Sequence, residues 1–221
     1  MIGNPVHAEI VHFKTADGWR LAASYREPAK GKPVALLIHG VASAKSEWTE
    51  FSEKLWKLGI GTLALDLRGH GESLSGPRGR RDFSDFDATG EWANTEADIA
   101  AALAFLKKRK FPDLRIAVIG ASIGANLASR AAEREPLAWM ILLSPGADYR
   151  GVALAGSVSV PALLGASPGD HYAYRTALGL MGPNPSAMFV EAKEGHGVQM
   201  FKDPIFLSKV LDWIAKRPSR R

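Results

Sequence analysis

Residue types that support nucleophilic catalysis occur together in the second half of the chain. Ser122 lies in the segment Gly-Ala-Ser-Ile-Gly, with a glycine two places to each side. A β-branched apolar run precedes the segment and helix-forming residues follow it, which predicts a sharp strand-to-helix turn at the serine. Such a turn strains the serine backbone, and the flanking glycines remove Cβ atoms that would collide. The hydroxyl would then project over the end of a strand, as a nucleophile must.

The Gly-x-Ser-x-Gly pattern occurs a second time around Ser167, and the residue after each serine distinguishes the two copies. In serine hydrolases the backbone N–H after the nucleophile donates to the oxyanion. Pro168 follows Ser167 and has no N–H, whereas Ile123 follows Ser122 and has one. We therefore predict Ser122 as the nucleophile and interpret Ser167 as a loop residue.

An activated serine needs a base within hydrogen-bond reach and an acid that orients the base. Two histidines follow Ser122 in the chain, His171 and His196. We favour His196, because it lies in a glycine-flanked loop after the last predicted strand, whereas His171 begins an apparent helix. Asp170 and Asp148 are the candidate acids. We favour Asp170, which lies closer to the strand before His196; Asp148 could instead cap a turn or line the pocket, and either aspartate is compatible with the pattern.

The elements that must position these residues alternate between apolar strands and helical stripes. Residues 7–13 and 19–25 alternate around an Asp-Gly turn and predict an opening hairpin. Alternating strands and helices are typical of a mainly parallel sheet covered on both faces. Residues 68–88 are rich in Gly, Ser, Arg and Asp and predict a long loop. The other predicted strands cover 33–38, 60–65, 116–119, 139–143, 160–164 and 188–191, and the helices cover 46–58, 91–108, 171–180 and 205–214, with one more after Gly124.

Composition narrows the class of protein. The 221 residues are 46% hydrophobic and 23% charged, so we expect residues 1–221 to form one domain. The absence of cysteine excludes disulfides, thiolate metal sites and a cysteine nucleophile. The net charge of +5 is mild and is not clustered with aromatic residues, so no nucleic-acid partner is expected. No apolar run reaches membrane-spanning length and no leader pattern begins the chain, which predicts a cytoplasmic protein or a processed secreted one.

Several segments, taken together and in order, resemble the α/β-hydrolase family. They are the Gly-x-Ser-x-Gly turn at Ser122, His39-Gly40, Asp66-Leu-Arg-Gly-His-Gly-Glu-Ser73, Asp170 and Gly195-His196-Gly197. The resemblance covers about residues 6–214 and implies an eight-stranded, mostly parallel sheet with an antiparallel second strand. Residues 144–159 are too few for a cap domain. The chain therefore resembles small lidless serine carboxylesterases and relatives of dienelactone hydrolase. The latter use cysteine where this chain has serine.

The resemblance implies an esterase that acts through an acyl-enzyme. In that mechanism Ser122 is the nucleophile, His196 the base and Asp170 the acid, and the N–H groups of Val41 and Ile123 form the oxyanion hole. The expected substrate is a small to medium carboxylic ester, with no cofactor and no metal. A thioesterase, a peptidase or amidase, and a non-catalytic ligand-binding module are the alternatives. Oligomeric state is not indicated.

Other polar residues near predicted strand ends have structural interpretations. His39 and His70 each precede a glycine and are predicted to hydrogen-bond within their loops. A metal site made of these histidines and Asp66 would lack the helical ligand spacing that supports such sites. Arg68 and Glu72 are predicted to pair within their loop.

Overall fold

A mostly parallel β-sheet forms the centre of the protein in the computed structural model, which describes residues 8–156 and 159–217. The first residue of the predicted hairpin, residues 157 and 158, and the basic tail from residue 218 onward lie outside the described residues. The described strands are β1 (Glu9–Lys14), β2 (Arg20–Arg26), β3 (Val34–Ile38), β4 (Gly61–Leu65), β5 (Ser75–Gly76), β6 (Gly79–Arg80), β7 (Ile116–Ala121), β8 (Met140–Leu143), β9 (Asp148–Tyr149), β10 (Val152–Ala153), β11 (Ala162–Ala166) and β12 (Ala187–Glu191). The described α-helices are α1 (Thr49–Lys57), α2 (Phe86–Thr89), α3 (Glu96–Lys108), α4 (Ile123–Arg134), α5 (His171–Gly179) and α6 (Pro204–Ala215).

Eight strands of four or more residues form the body of the sheet, in the order β1-β2-β4-β3-β7-β8-β11-β12. Strand β2 is antiparallel to both β1 and β4, and the pairs from β4 to β12 are parallel. The α/β-hydrolase architecture implied by the sequence is therefore confirmed. The two-residue strands β5 and β6 extend the sheet beside β2 and bring the total to ten. They lie within the segment predicted to be a loop.

Helices cover both faces of this sheet. Strands β3, β4, β7, β8 and β11 are buried at every position, which is why their sequences are continuous apolar runs. Successive side chains of a strand point to opposite faces. Accordingly Leu36 packs in the core beneath α3 and α4, whereas the next residue, Leu37, packs in the core beneath α1 and α6. No helix among the described residues is long and apolar enough to cross a membrane.

Two helices and one strand begin differently from the prediction, for reasons that lie in the local sequence. The predicted helices 46–58 and 91–108 each begin with a 3₁₀ turn, Lys45–Trp48 and Glu91–Thr95, before the α-helix starts. Strand β11 begins two residues later than predicted, after Pro161, which has no N–H to donate to a sheet. Between β8 and β11 the described residues form only the β9–β10 hairpin, so no cap domain is present there.

Arg68 has partners that the sequence did not indicate. The expected Arg68–Glu72 pair is wrong, since Glu72 pairs with Lys45 instead. The guanidinium of Arg68 is fully buried and pairs with carboxylates of three other segments. Those partners are Asp17, Glu91 and Asp98. A buried cation must be paired in this way, because an unpaired one would carry a large desolvation cost.

Candidate active site

Ser122 occupies the corner between β7 and α4 with the backbone angles φ 57° and ψ −125°. A positive φ is uncommon for a residue with a Cβ, and such strain persists only where the surroundings enforce it. A Cβ on Gly120 would overlap the carbonyl of Gly124, and a Cβ on Gly124 would overlap the carbonyl of Ile38. Both glycines are therefore required by close backbone contacts, as the Gly-x-Ser-x-Gly pattern predicts. The serine side chain is partly exposed at the end of the sheet.

His196 and Asp170 form a close pair at the same edge of the sheet. Nδ1 of His196 lies 2.6 Å from Oδ2 of Asp170. The pair forms because Asp170 follows β11 and His196 follows β12, and these neighbouring strands are parallel. The aspartate also begins α5, accepting a 3.4 Å hydrogen bond from the N–H of Ala173. With Nδ1 donating to the carboxylate, Nε2 is the imidazole nitrogen that can accept a proton.

Two buried serine hydroxyls hold the loop that carries His196. Ser144 Oγ accepts a 2.9 Å hydrogen bond from the N–H of Gly197, and Ser167 Oγ donates a 2.7 Å hydrogen bond to the carbonyl of Gly195. Both serines are almost completely buried. The residues before and after His196 are thus attached to the ends of β8 and β11. Sequence reasoning missed this function of both serines, since the hydroxyl partners lie 53 and 28 residues away.

The alternative acid and base lie elsewhere. Asp148 Oδ1 accepts a 2.7 Å hydrogen bond from the N–H of Gly151, within the turn between β9 and β10. His171 is exposed and lines a surface hollow with Tyr172 and Arg175. The structure therefore places His196 against Asp170 and gives Asp148 the turn-capping contact.

The loop after β3 contacts the serine from the other side. A Cβ on Gly40 would lie 3.3 Å from Cβ of Ser122, so the Gly40 backbone approaches Ser122 closely. Ile123 is the first residue of α4, where backbone N–H groups have no partner within the helix. Among the described residues, neither the N–H of Val41 nor that of Ile123 has a hydrogen-bond acceptor. Both groups are available to an oxyanion.

Glu47 holds the loop that carries Val41. Its carboxylate accepts a 3.3 Å hydrogen bond from the N–H of Gly40 and a 2.5 Å hydrogen bond from the Ser43 hydroxyl. Burial raises the pKa of this carboxyl group, while the two hydrogen bonds and the nearby His196 oppose the increase. Glu47 therefore fixes the position of the Gly40 backbone, which lies close to Ser122.

His39 also holds the loop that carries Val41. Its Nε2 accepts a 3.0 Å hydrogen bond from the N–H of Leu67, and its Nδ1 donates to the carbonyl of Gly40 over 2.7 Å. Burial, together with the charge of His70, lowers the pKa of His39 to about 4, so the ring is neutral near pH 7. Because both ring nitrogens are already used, His39 has no lone pair left for the metal site considered with His70 and Asp66.

Tyr149 is a residue near the site that sequence reasoning missed. Its ring meets that of His196 edge to face, with 6.4 Å between centroids. Its hydroxyl donates a 3.2 Å hydrogen bond to the carbonyl of Ser144. Its neighbour Asp148 stood out in the sequence as a carboxylate, whereas nothing in the local pattern around Tyr149 suggested a contact with His196.

The sheet order and the strand-turn-helix at Ser122 are those of an α/β hydrolase. Residues 29–167, more than half of the chain, match the family model described as serine aminopeptidase, S33. The chain belongs to this family of α/β hydrolases.

Individual relatives share part of the sequence. The chain is 32% identical over 159 residues to an uncharacterized protein of Mycobacterium tuberculosis, a match that covers 71% of this chain and 51% of that protein. It is 28% identical over 143 residues to the monoglyceride lipase of Homo sapiens, covering 63% of this chain and 44% of the lipase. The chain thus spans about half the length of the curated relatives it matches.

Solved structures share the fold over nearly the whole chain. An esterase of Pyrococcus furiosus superimposes with a TM-score of 0.70 at 19% identity, covering 96% of this chain and 90% of that one. A dienelactone hydrolase of Anabaena variabilis gives a TM-score of 0.68 at 17% identity, covering 96% and 97%. At these identities the likeness establishes the fold.

Proposed function

We propose that this protein is a serine hydrolase that cleaves small to medium carboxylic esters through an acyl-enzyme. The observation that carries the proposal is the 2.6 Å contact between His196 Nδ1 and Asp170 Oδ2, at the sheet edge where Ser122 lies in a strained turn. A nucleophile, a base and an acid from three strand ends are the components that this chemistry requires.

The reaction follows from these positions. His196 Nε2 takes the hydroxyl proton of Ser122 while Oγ attacks the ester carbonyl, and Asp170 stabilises the imidazolium that forms. The N–H groups of Val41 and Ile123 receive the negative charge on the carbonyl oxygen, and each such donor contributes about 2.7–4 kcal/mol in the transition state. The imidazolium then protonates the leaving alcohol. Water attacks the acyl-enzyme with His196 again as base, which releases the acid.

The substrate class is supported by the openness of the site and by the names of related proteins. The His196 side chain is 43% exposed, and the described residues include no cap over it. A site with one open side accommodates leaving groups of various sizes but buries little of the substrate, which favours small and medium esters. Similar proteins are named esterase, dienelactone hydrolase and monoglyceride lipase.

A panel of p-nitrophenyl esters with acyl chains of two to twelve carbons tests the proposal. We expect turnover that declines for the longest chains, and covalent labelling of Ser122 by a fluorophosphonate. Ser122→Ala should abolish both without a change in melting temperature. Ser208→Ala, which makes the same change at an exposed position of α6, is the matched control. Turnover retained in Ser122→Ala would place the nucleophile elsewhere.

Amide hydrolysis is the second candidate, because the family description names aminopeptidases. The same acyl-enzyme chemistry cleaves an amide when the site can protonate the leaving amine. Aminoacyl p-nitroanilides assayed beside the esters distinguish the two activities through their kcat/KM values. If Ser122 is neither labelled nor needed for any turnover, the chain is a ligand-binding module on a hydrolase scaffold.

A further inference from the structure

Four antiparallel strands at one side of the sheet carry a row of cationic side chains. Lys14 of β1 lies opposite Arg20 of β2. Arg20 lies in turn opposite Ser75 of β5, which lies opposite Arg80 of β6. Directly opposite residues of antiparallel strands project to the same face of the sheet. Lys14, Arg20 and Arg80 therefore form one exposed row, the basic row, which spans about 14 Å at the usual strand spacing.

The charges of the basic row are left without close partners among the residues that the structure describes. None of the three side chains forms an ion pair or a side-chain hydrogen bond there. Asp82 lies near Arg80, but its carboxylate accepts a hydrogen bond from the N–H of Ser84. Three further carboxylates flank these strands and pair with other cations; they are Glu9, Asp17 and Glu72. The basic row therefore presents three positive charges to solvent.

An exposed apolar side chain continues the same face along β1. Side chains of a strand alternate between faces, so Ile10 and His12 project to the same side as Lys14. Ile10 is 50% exposed, whereas Val11 and Phe13, on the opposite face, pack against the core. Ile10, His12 and the basic row together are called the basic face.

The chemistry of the basic face favours a lipid bilayer over a nucleic acid. Proteins that bind single-stranded nucleic acids add aromatic side chains on which the bases stack. The basic face has no Phe, Tyr or Trp. An anionic bilayer instead presents negatively charged headgroups above an apolar layer, and cations beside an exposed isoleucine match both parts.

We propose that the basic face binds the surface of anionic lipid bilayers, with the cations at the headgroups and Ile10 in the interface. This membrane association is independent of the proposed ester hydrolysis, because no residue of the basic face belongs to that site. Each Lys or Arg near an anionic bilayer strengthens binding about 5-fold. Salt screens the attraction, so binding is expected to weaken as the ionic strength rises.

Sedimentation of the protein with vesicles tests the proposal. We expect the wild type to bind vesicles of phosphatidylcholine and phosphatidylglycerol in about 0.05 M salt, and to bind phosphatidylcholine vesicles far less. The double variant Arg20→Gln with Arg80→Gln should have a partition coefficient about 20- to 30-fold lower, since two charges are lost. Both side chains are exposed, so its melting temperature should not change. A wild type that does not bind, or a double variant that binds equally well, would overturn the proposal.

Arg175→Gln with Lys209→Gln is the matched control. This pair of substitutions removes the same net charge from exposed positions on α5 and α6, and neither side chain forms an ion pair with another described residue. We expect its partition coefficient to stay within about twofold of the wild type, because charges away from the bilayer are screened. An equal loss in both double variants would show that net charge, and not the basic face, controls binding, and would overturn the proposal.

Two further measurements separate a lipid surface from a nucleic acid. Ile10→Ser leaves the charge unchanged and should lower the partition coefficient at least about 3-fold, because it removes apolar surface from the interface. Equal vesicle binding by Ile10→Ser and the wild type would contradict the insertion of Ile10. The Arg20 and Arg80 double variant should lose more vesicle binding than binding of a fluorescein-labelled single-stranded oligonucleotide. A larger loss of oligonucleotide binding would assign the basic face to nucleic acid and overturn the proposal.

Discussion

Ser144 Oγ accepts a 2.9 Å hydrogen bond from the backbone N–H of Gly197, the residue that follows His196. Ser144 directly follows β8 and is fully buried, so this bond joins the end of the sheet to the loop that carries the imidazole. With Ser167 bonded to Gly195 on the other side, the main chain is held both before and after His196. The base function proposed for His196 depends on the orientation of its ring, and supports of this type determine that orientation.

Removing one of these supports should reduce turnover. We expect Ser144→Ala to lower kcat at least 10-fold with little change in KM, because a misplaced imidazole affects the transition state more than ester binding. The variant also leaves the buried N–H of Gly197 unsatisfied, at a cost of about 1–3 kcal/mol in the free energy of unfolding. Steady-state kinetics and urea titration measure the two effects.

Ser129→Ala is the control for this loss of stability. Ser129 is a buried serine of α4 whose hydroxyl bonds the backbone of Asn126 and Ala155, away from the His196 loop. We expect Ser129→Ala to lower the free energy of unfolding to a similar extent, with a kcat within twofold of the wild type. Equal kcat in Ser144→Ala and Ser129→Ala would argue against a positioning function for Ser144.

The two candidate acids should respond very differently to the same substitution. Asp170→Asn is expected to lower kcat by about 10⁴-fold, because an amide no longer holds the imidazole in the productive tautomer. Asp148→Asn should change kcat less than 5-fold, since Asp148 Oδ1 is bonded to the turn N–H of Gly151. Ester hydrolysis by the two variants, measured at the same pH, decides between them. A greater loss in Asp148→Asn would mean that the acid was wrongly assigned.

The buried Arg68 cluster should be important for stability. We expect Asp98→Ala to lower the free energy of unfolding by about 3–5 kcal/mol, because it removes a fully buried carboxylate from a fully buried guanidinium. Asp85→Ala is the comparison, since Asp85 pairs with Arg81 at the surface and such pairs contribute at most about 1 kcal/mol. Urea unfolding followed by tryptophan fluorescence gives both values. Similar losses of unfolding free energy in the two variants would mean that burial of the Arg68–Asp98 pair adds no stability.

His39 should make stability depend on pH. Its pKa is about 4 in the folded protein, against 6.5 for an unperturbed histidine, so between these values the unfolded chain binds one proton more. Above pH 6.5 the titration of His39 does not reduce the free energy of unfolding. As the pH falls from 6.5 toward 4, this titration lowers the free energy of unfolding by about 3 kcal/mol in total. The wild type should therefore lose about 1.4 kcal/mol more per pH unit in this window than His39→Asn, which lacks the titrating group. Parallel pH profiles of unfolding free energy would contradict this.

Local pattern was sufficient for the parts of the fold that local physics controls. The Gly-x-Ser-x-Gly segment predicted the strained corner at Ser122, because only glycine permits the backbone approaches made by Gly120 and Gly124. Apolar runs located the buried strands to within a few residues. The pairing of Asp170 with His196 was expected because parallel strands bring their carboxyl ends to one edge, a property of topology that alternating elements reveal.

Other contacts could be known only from the tertiary structure. The partners of Arg68, the two serines that hold the His196 loop, and the contact of Tyr149 with His196 all join residues 23 to 53 positions apart in the chain. The sequence predicted Ser167 only as a loop residue and indicated no function for Tyr149. A hydroxyl or guanidinium has no preferred partner until packing brings one within hydrogen-bond reach. Sequence pattern therefore identifies the strands and the strained turn at Ser122 but not these supports.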